Sequence, residues 1–235
     1  MESSRNDYDG FARAYTHHNE TSPFLTLYER PAILAIAGDV RGLRVLDAGC
    51  GSGVQAAELG RRGATVTGVD LSSGLLGVAR ERLGSGVPLC QVDLARPLPF
   101  ADGAFDLVLS SLVMHYLPEW EPTLREFHRV LVPHGRVVLS THHPLMDMRI
   151  SDSDDYLGVY TYTDEWAVGD QTMRMRFWHR PLRAMLAAFT SSGFAVGDIV
   201  EPDPRPEMAE VAPDVYRQLS RDAQFLFFSL TASSR

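Results

Sequence analysis

Residues 45–53 read V-L-D-A-G-C-G-S-G and combine one acid with three glycines at alternate positions. The acid is Asp47, and the glycines are Gly49, Gly51 and Gly53. Glycine allows a tight bend and lets a ligand touch the backbone, and a helix that follows adds its N–H groups and its dipole. A carboxylate beside such a turn repels a pyrophosphate but attracts an amino or sulfonium cation. The stretch therefore predicts a ligand-binding turn with a preference for positive charge.

Two further acids, Asp70 and Asp93, each end a predicted strand. In a doubly wound sheet such ends line one crevice, where ligands bind. Asp70 lies about twenty residues beyond the glycine turn, a position from which a carboxylate accepts both hydroxyls of a ribose. NAD sites use an acid there too, so Asp70 alone does not decide the ligand. The glycine spacing disfavours NAD, because the dinucleotide fingerprint is G-x-G-x-x-G and this chain has G-x-G-x-G.

The elements that position these residues alternate between strands and helices. Apolar runs predict strands that end at Leu46 and that cover 64–70, 87–93, 105–110, 136–140, 194–200 and 225–231. Apolar stripes of helical period lie between them, and Ser72 is placed to cap one of these helices. Such alternation produces right-handed crossovers and a mostly parallel sheet. We expect an α/β fold with a doubly wound, Rossmann-like, seven-stranded sheet, whose last strand follows a short link and runs antiparallel.

Two segments interrupt the alternation. Residues 9–39 predict two helical pieces before the first strand, with Pro31 kinking or restarting the second. The stretches 155–166 and 172–179 have nearly alternating side chains, and Gly169 and Asp170 lie between them, which predicts an antiparallel ribbon after the fifth strand. We expect one domain overall, divided into an N-terminal helical segment, a binding core, the inserted ribbon and a C-terminal completion of the core at 1–40, 41–140, 141–180 and 181–235.

Two longer motifs follow Asp93. L-P-F-x-D-x-x-F-D occupies 98–106, and L-V-P-H-G-R-V-V-L-S occupies 131–140. With the glycine turn and the acids, they resemble the small-molecule, type-11-like branch of the class I S-adenosylmethionine-dependent methyltransferases. The resemblance is strong over 45–140 and weakest after 141. It is diffuse over 7–15, where Y-D-x-F-A-x-x-Y is similar to the family's N-terminal lid.

This resemblance implies S-adenosylmethionine as the cofactor. The residues that would touch it are Tyr15, Asp47, Gly49, Gly51, Asp70, Leu71, Asp93, Leu94 and Ser110, with Ser111 as an alternative to Ser110. Asp47 and the glycines would hold the methionine end, and Asp70 the ribose. Leu71 would pack on the adenine, whose amino group Asp93 would accept. The backbone of the serine would face the cofactor's amino group, and Tyr15, on the lid, would reach its carboxylate.

The reaction implied by the resemblance is in-line methyl transfer to an O, N or C nucleophile of a small apolar or aromatic acceptor, in secondary metabolism. Positioning can supply about 7–11 kcal/mol of such a barrier, so acid–base catalysis is optional. If the acceptor must lose a proton, His115 and His143 are the candidate bases, because they follow the fourth and fifth strands. The alternative is that His115 packs at the rim of the fold and that His143, before Pro144, shapes a turn.

Composition narrows the function further. The net charge of −8 and the lack of a basic block disfavour nucleic acid as a partner. All 22 basic residues are arginine, which excludes lysine Schiff-base chemistry. Two cysteines, a polar N-terminus and no run of membrane-spanning length predict a cytoplasmic protein with reduced thiols.

Some alternatives stay open at the level of the sequence. The spacing of the histidines, cysteines and acids does not predict a metal site. The chain is expected to be a monomer or a homodimer. A non-catalytic S-adenosylmethionine-binding partner protein and an NAD-linked oxidoreductase remain as alternative functions.

Overall fold

A seven-stranded sheet forms the centre of the structure, a computed structural model that describes residues 8–168 and 171–234. Its strands lie in the order β3-β2-β1-β4-β5-β9-β8. Strands β1 to β5 are mutually parallel, whereas β9 runs antiparallel to both β5 and β8. The bounds are β1 Arg44–Ala48, β2 Thr65–Asp70, β3 Leu89–Gln91, β4 Phe105–Ser111, β5 Leu131–His142, β8 Phe194–Val200 and β9 Phe225–Ala232. The predicted fold class is confirmed.

Helices cover both faces of this sheet. They are α1 Ala12–Thr21, α2 Arg30–Ala37, α3 Val54–Arg61, α4 Ser73–Leu83, α5 Glu121–Val130, α6 Pro144–Ser151, α7 Leu182–Ser191, α8 Met208–Val211 and α9 Pro213–Leu219. On one face, residues of α5 and α7 pack with Leu46 and Val108 of the sheet. On the other, residues of α2 and α3 pack with Val45 and Leu107. Each central strand is therefore apolar on both sides, as a parallel sheet between two helical layers requires.

The N-terminal segment reaches the sheet through a helical turn of unusual width. A 3₁₀ turn at Asp9–Phe11 leads into α1, and a π-helical turn at Leu25–Glu29 continues directly into α2. Pro31 lies in the first turn of α2, where its missing N–H costs little. The two helical pieces are present, but the second runs through Pro31 without a break from 23 to 37, so no restart occurs there.

The ribbon forms a separate two-stranded sheet, made of β6 Tyr160–Val168 and β7 Gln171–His179. Its strands are antiparallel, as predicted, while Gly169 and Asp170 lie outside the described residues. One face buries Tyr162, Met175 and Phe177 against Tyr8 and Tyr116. The ribbon is thereby attached both to the N-terminal segment and to the loop after β4.

Two connections differ from the sequence-based expectation. The link from β8 to β9 is not short, since residues 201–224 contain both α8 and α9. Strand β5 begins at Leu131, ahead of the predicted 136, because Leu131 already pairs with Phe105 of β4; the register then shifts before the next pair, Leu107 with Arg136. A bulge of this kind accommodates Pro133, which cannot donate to a strand ladder. Within the described part of the chain, no helix combines the length and apolarity needed to cross a bilayer.

Candidate active site

A cavity of about 580 Å³ lies at the carboxyl ends of β1, β2 and β4. This volume suits a small-molecule or cofactor site. The sequence-predicted residues that line it are Tyr15, Asp47, Gly49, Gly51, Asp70, Leu71, Asp93, Leu94 and, as the alternative serine, Ser111. Ser110 is not among its lining residues, and its side chain is buried in β4. The topology thus brings together acids that are far apart in the sequence.

The three glycines of the turn each adopt a positive φ, for different reasons. A Cβ on Gly49 (φ +83°) would lie 2.2 Å from Cγ2 of Val113, and one on Gly53 (φ +78°) would lie 2.8 Å from Cδ1 of Leu83. A Cβ on Gly51 (φ +54°) would meet nothing within 4 Å. Gly49 and Gly53 therefore permit close packing, while Gly51 leaves open space beside the cavity.

Asp70 is fixed by the backbone around it. Its Oδ2 accepts the N–H of Gly51 at 2.8 Å, and its Oδ1 accepts the N–H of Ser72 at 2.8 Å. Burial raises the pKa of the carboxyl, an effect that these hydrogen bonds oppose. The backbone of Leu71 adds a third such bond, and a carboxylate with about four acceptor sites still has capacity for a ligand hydroxyl.

Asp47 is a buried acid that lines the cavity at the end of β1. Its side chain is 1% exposed, accepts the N–H of Ala56, and has an Oδ2 with no hydrogen-bond partner among the described residues. Burial, and next the charge of Asp70, raise its pKa to about 7. A buried carboxylate that lacks a donor is costly, so this site is suited to a ligand that brings one.

Glu29 and Arg30 also line the cavity, although the sequence did not predict them as site residues. Glu29 is completely buried, and its Oε1 accepts the hydroxyls of Ser111 and Ser140, both at 2.7 Å. Burial raises its pKa, and its Oε2 has no partner within the described chain. Arg30 donates to the carbonyl of Asn19 at 2.8 Å. The available signal was a charged pair inside an otherwise apolar helical stripe.

Three tyrosines close one side of the cavity. Tyr8, Tyr15 and Tyr116 line it, and the hydroxyls of Tyr8 and Tyr116 are hydrogen-bonded. The rings of Tyr8 and Tyr15 meet edge to face at 4.7 Å. Burial raises the pKa of all three phenols, which therefore stay neutral. Only Tyr15 was predicted.

The two candidate bases lie outside the set of residues that line the cavity. His115 is 2% exposed and stacks on His142 at 3.7 Å, and its Nδ1 accepts the backbone N–H of His142. Burial lowers its pKa well below the usual value. His143 accepts the N–H of Leu145 at the start of α6, and its Nε2 lies 2.8 Å from Oε1 of Glu201. Both rings thus have structural partners.

An additional contact holds the N-terminal segment over the cavity. Oδ1 of Asp9 accepts the Ser72 hydroxyl at 2.6 Å and the Gly74 N–H at 2.9 Å. Ser72 itself caps α4, because its Oγ accepts the N–H of Leu75, as predicted. Asp9 therefore attaches the segment to the same helix end that borders the cavity.

Comparison with known proteins identifies the core. Residues 46–139 match the family model for a methyltransferase domain. The chain is 37% identical over 106 residues to a ubiquinone biosynthesis O-methyltransferase of Pseudomonas aeruginosa, covering 43% of this chain and 44% of that protein. It is 40% identical over 117 residues to a fatty-acid O-methyltransferase of Mycolicibacterium smegmatis, covering 48% and 42%. The alignments thus span less than half the length of these curated relatives.

The whole fold also has a solved counterpart. An S-adenosylmethionine-dependent methyltransferase from Mesorhizobium loti superposes with a TM-score of 0.71 and 26% sequence identity. This match covers 90% of the chain and 99% of that structure. The similarity therefore extends beyond the core to the elements at both ends.

The fold is similar to that of S-adenosylmethionine-dependent methyltransferases of class I, and residues 46–139 match the model of a methyltransferase domain. S-adenosylmethionine is the cofactor of this class, and two observations in the cavity fit it. The unpartnered oxygen of Asp47 requires a donor, and the open side of Gly51 leaves room for a ligand against the backbone.

Proposed function

We propose that this chain binds S-adenosylmethionine in the cavity and transfers its methyl group to an oxygen atom of a small-molecule acceptor. The observation that supports this most is the concentration of acids, since Glu29, Asp47, Asp70 and Asp93 line one cavity. A cofactor with a sulfonium and an ammonium group offsets that charge. Both curated relatives are O-methyltransferases, which favours oxygen as the nucleophile.

The residues would divide the cofactor between them. Asp70 would accept the ribose hydroxyls through the lone pairs that the backbone leaves available. Leu71, 42% exposed, would pack on the adenine, and Asp93 would accept its amino group, with Leu94 alongside. Arg30, one of the basic residues that line the cavity, donates to the Asn19 carbonyl and interacts electrostatically with Tyr15. We place it with Tyr15 at the carboxylate of the methionine end.

The bound cofactor supplies an activated methyl group on a positively charged sulfur. The protein's contribution is to orient both reactants and to keep water away. The N-terminal segment does this through Asp9 at α4, and the tyrosines through their edge-to-face contacts. Because neither His115 nor His143 lines the cavity, we propose that positioning, without a histidine base, is sufficient.

The acceptor side of the cavity favours an apolar or aromatic compound. Leu117, Pro118 and Trp178 line it beside Tyr116. Such surfaces bind rings and alkyl chains by burial of apolar area. We therefore propose phenols and carboxylic acids with an apolar body as acceptors.

Transfer of a radioactive methyl group tests this function. The protein is incubated with S-adenosylmethionine labelled in its methyl group and with panels of phenols and fatty acids, and the products are extracted into organic solvent. We expect label in ethers or esters, lost in Asp70→Asn and retained in the surface variant Asp106→Asn. Cofactor binding without transfer to any compound would favour the non-catalytic partner protein instead.

A further inference from the structure

We propose that Glu29 binds the α-ammonium group of the cofactor's methionine end, together with Asp47. This inference rests on the proposed function and adds a recognition residue to it. Glu29 lies on the π-helical turn at Leu25–Glu29, outside the matched domain at 46–139. Single π-turns often occur at functional sites, and this one introduces a carboxylate into the cavity from the N-terminal segment.

Two buried carboxylate oxygens in the cavity have unused hydrogen-bonding capacity. Oε2 of Glu29 and Oδ2 of Asp47 both lack a hydrogen-bond partner among the described residues, although both side chains line the same cavity. An ionised carboxylate only accepts hydrogen bonds. Buried polar atoms are nearly always paired in native proteins, so both positions require a ligand that donates.

The other oxygen of the Glu29 side chain is held in place by two serines of the sheet. Oε1 accepts the hydroxyls of Ser111 and Ser140 at the ends of β4 and β5. Gln55, at the start of α3, donates to the Ser111 hydroxyl at 2.9 Å. Because this hydroxyl accepts from Gln55, its own proton is donated to Glu29. The carboxylate is thus oriented by three elements of the core, while its second oxygen remains available.

Among the donors of the cofactor, the ammonium group is the one left for Glu29. The sulfonium carries no N–H or O–H, and the ribose hydroxyls and the adenine amino group are assigned to Asp70 and Asp93. An ammonium offers three donors and a positive charge. The negative charge of Glu29 also contributes to the raised pKa of Asp47, which shows that the two acids lie within electrostatic range. One cation satisfies both acids and removes their mutual repulsion.

Calorimetric titration with defined cofactor fragments tests the assignment. The probes are S-adenosylhomocysteine, its deaminated analogue, and 5′-methylthioadenosine, which lacks the amino-acid portion. Glu29→Gln should weaken binding of S-adenosylhomocysteine at least tenfold and change that of methylthioadenosine less than twofold. Glu81→Gln, on the surface beside Arg13, is the matched control and should change neither.

The result that overturns the proposal is an equal effect of Glu29→Gln on both ligands, or no effect on either. Wild-type protein provides a second readout that does not depend on the folding of the variant. It should prefer S-adenosylhomocysteine over the deaminated analogue at least tenfold, and equal affinities would also refute the role of an acid at this group. If the wild-type protein binds none of the three probes, the proposed function itself fails.

Discussion

The backbone N–H of Gly51 donates to Oδ2 of Asp70 at 2.8 Å, across the junction of β1 and β2. This bond joins the glycine turn to the acid that follows the neighbouring strand, so that neither is positioned independently. Gly51 leaves open space on its missing Cβ side. The turn and the carboxylate therefore form one binding element, with the backbone as its frame.

Replacing the carboxylate of Asp70 should weaken the binding of the cofactor and of every fragment that contains its ribose. Hydrogen bonds to charged groups contribute about 1.5–3 kcal/mol, so Asp70→Asn should weaken S-adenosylhomocysteine by about tenfold or more. The affinity for methylthioadenosine should fall by a similar factor. This distinguishes Asp70→Asn from Glu29→Gln, which should leave that affinity nearly unchanged. Calorimetry measures both affinities. Asp106→Asn, which disturbs the Arg44 contacts at the amino-terminal ends of β1 and β4 and away from the cavity, should bind normally.

Alanine at two glycines of the same turn should produce different defects. Gly53→Ala should mainly lower stability, and Gly51→Ala should mainly lower cofactor affinity. Gly53→Ala places a Cβ 2.8 Å from Leu83 of α4, so we expect a lower melting temperature. Gly51→Ala meets no protein atom within 4 Å and costs only the left-handed backbone, about 1–2 kcal/mol. It should nevertheless lose most cofactor affinity, because the methyl group occupies ligand space. Thermal unfolding and calorimetry on both variants would contradict this if the defects were the same.

Cofactor affinity should rise between pH 6 and pH 8. The pKa of Asp47 is about 7 in the protein without ligand, so the acid is mostly neutral at pH 6 and mostly ionised at pH 8. Only the ionised form attracts the ammonium group, and the change in ionised fraction corresponds to about tenfold in affinity. Titrations with S-adenosylhomocysteine at both pH values measure it. Asp47→Asn should flatten the rise, and a wild-type affinity independent of pH would argue against an ionising acid here.

The same acid should make the protein without cofactor less stable as the pH rises. Its pKa increases from 3.8 to about 7 on folding, so the folded state binds the extra proton within that interval. Stability contributed by the neutral form is therefore present below pH 4 and is lost as the pH rises towards 7, by at most about 4 kcal/mol. Asp47→Asn should melt higher than wild type at pH 8 and about equally at pH 4. An Asn variant that melts lower at pH 8 would contradict the sign.

Loosening the N-terminal segment should speed cofactor release. Asp9 holds this segment to the start of α4, and helix-capping contacts of this kind contribute about 1 kcal/mol. Asp9→Ala should therefore raise the dissociation rate of S-adenosylhomocysteine by about fivefold, as measured by stopped-flow displacement. Arg13→Ala removes an exposed ion pair of the same segment with Glu81 and should leave the rate unchanged. Equal rates in wild type and Asp9→Ala would show that this contact does not limit release.

The sequence alone was sufficient for the sheet and for the acids at its edge. The parallel strands were predicted from short runs rich in apolar residues, and Asp47, Asp70 and Asp93 ended three of these runs, so topology alone brought them together. Two features differed from the prediction: the link from β8 to β9 and the start of β5. The start of β5 depends on its pairing with β4, which a local pattern does not reveal. The predicted strand began at 136, whereas the bulge beside β4 lets β5 include Pro133.

Glu29, Tyr8 and Tyr116 were not predicted, because their roles depend on contacts between distant segments. Glu29 lies in a helical stripe and becomes a site residue only through Ser111, Ser140 and the cavity. The sequence suggested His115 and His143 as site residues, but neither lines the cavity. A position after a strand end does not fix the direction in which the ring points. His115 turns to His142, and His143 turns to the start of α6.

Titration of the purified protein with S-adenosylhomocysteine tests the central claim most directly. The account predicts saturable binding of one ligand per chain, with an affinity that falls about tenfold or more in Asp70→Asn and is unchanged in Asp106→Asn. If the wild-type protein shows no binding heat up to millimolar ligand, or if Asp70→Asn binds as tightly as wild type, the cavity at the ends of β1, β2 and β4 is not the cofactor site.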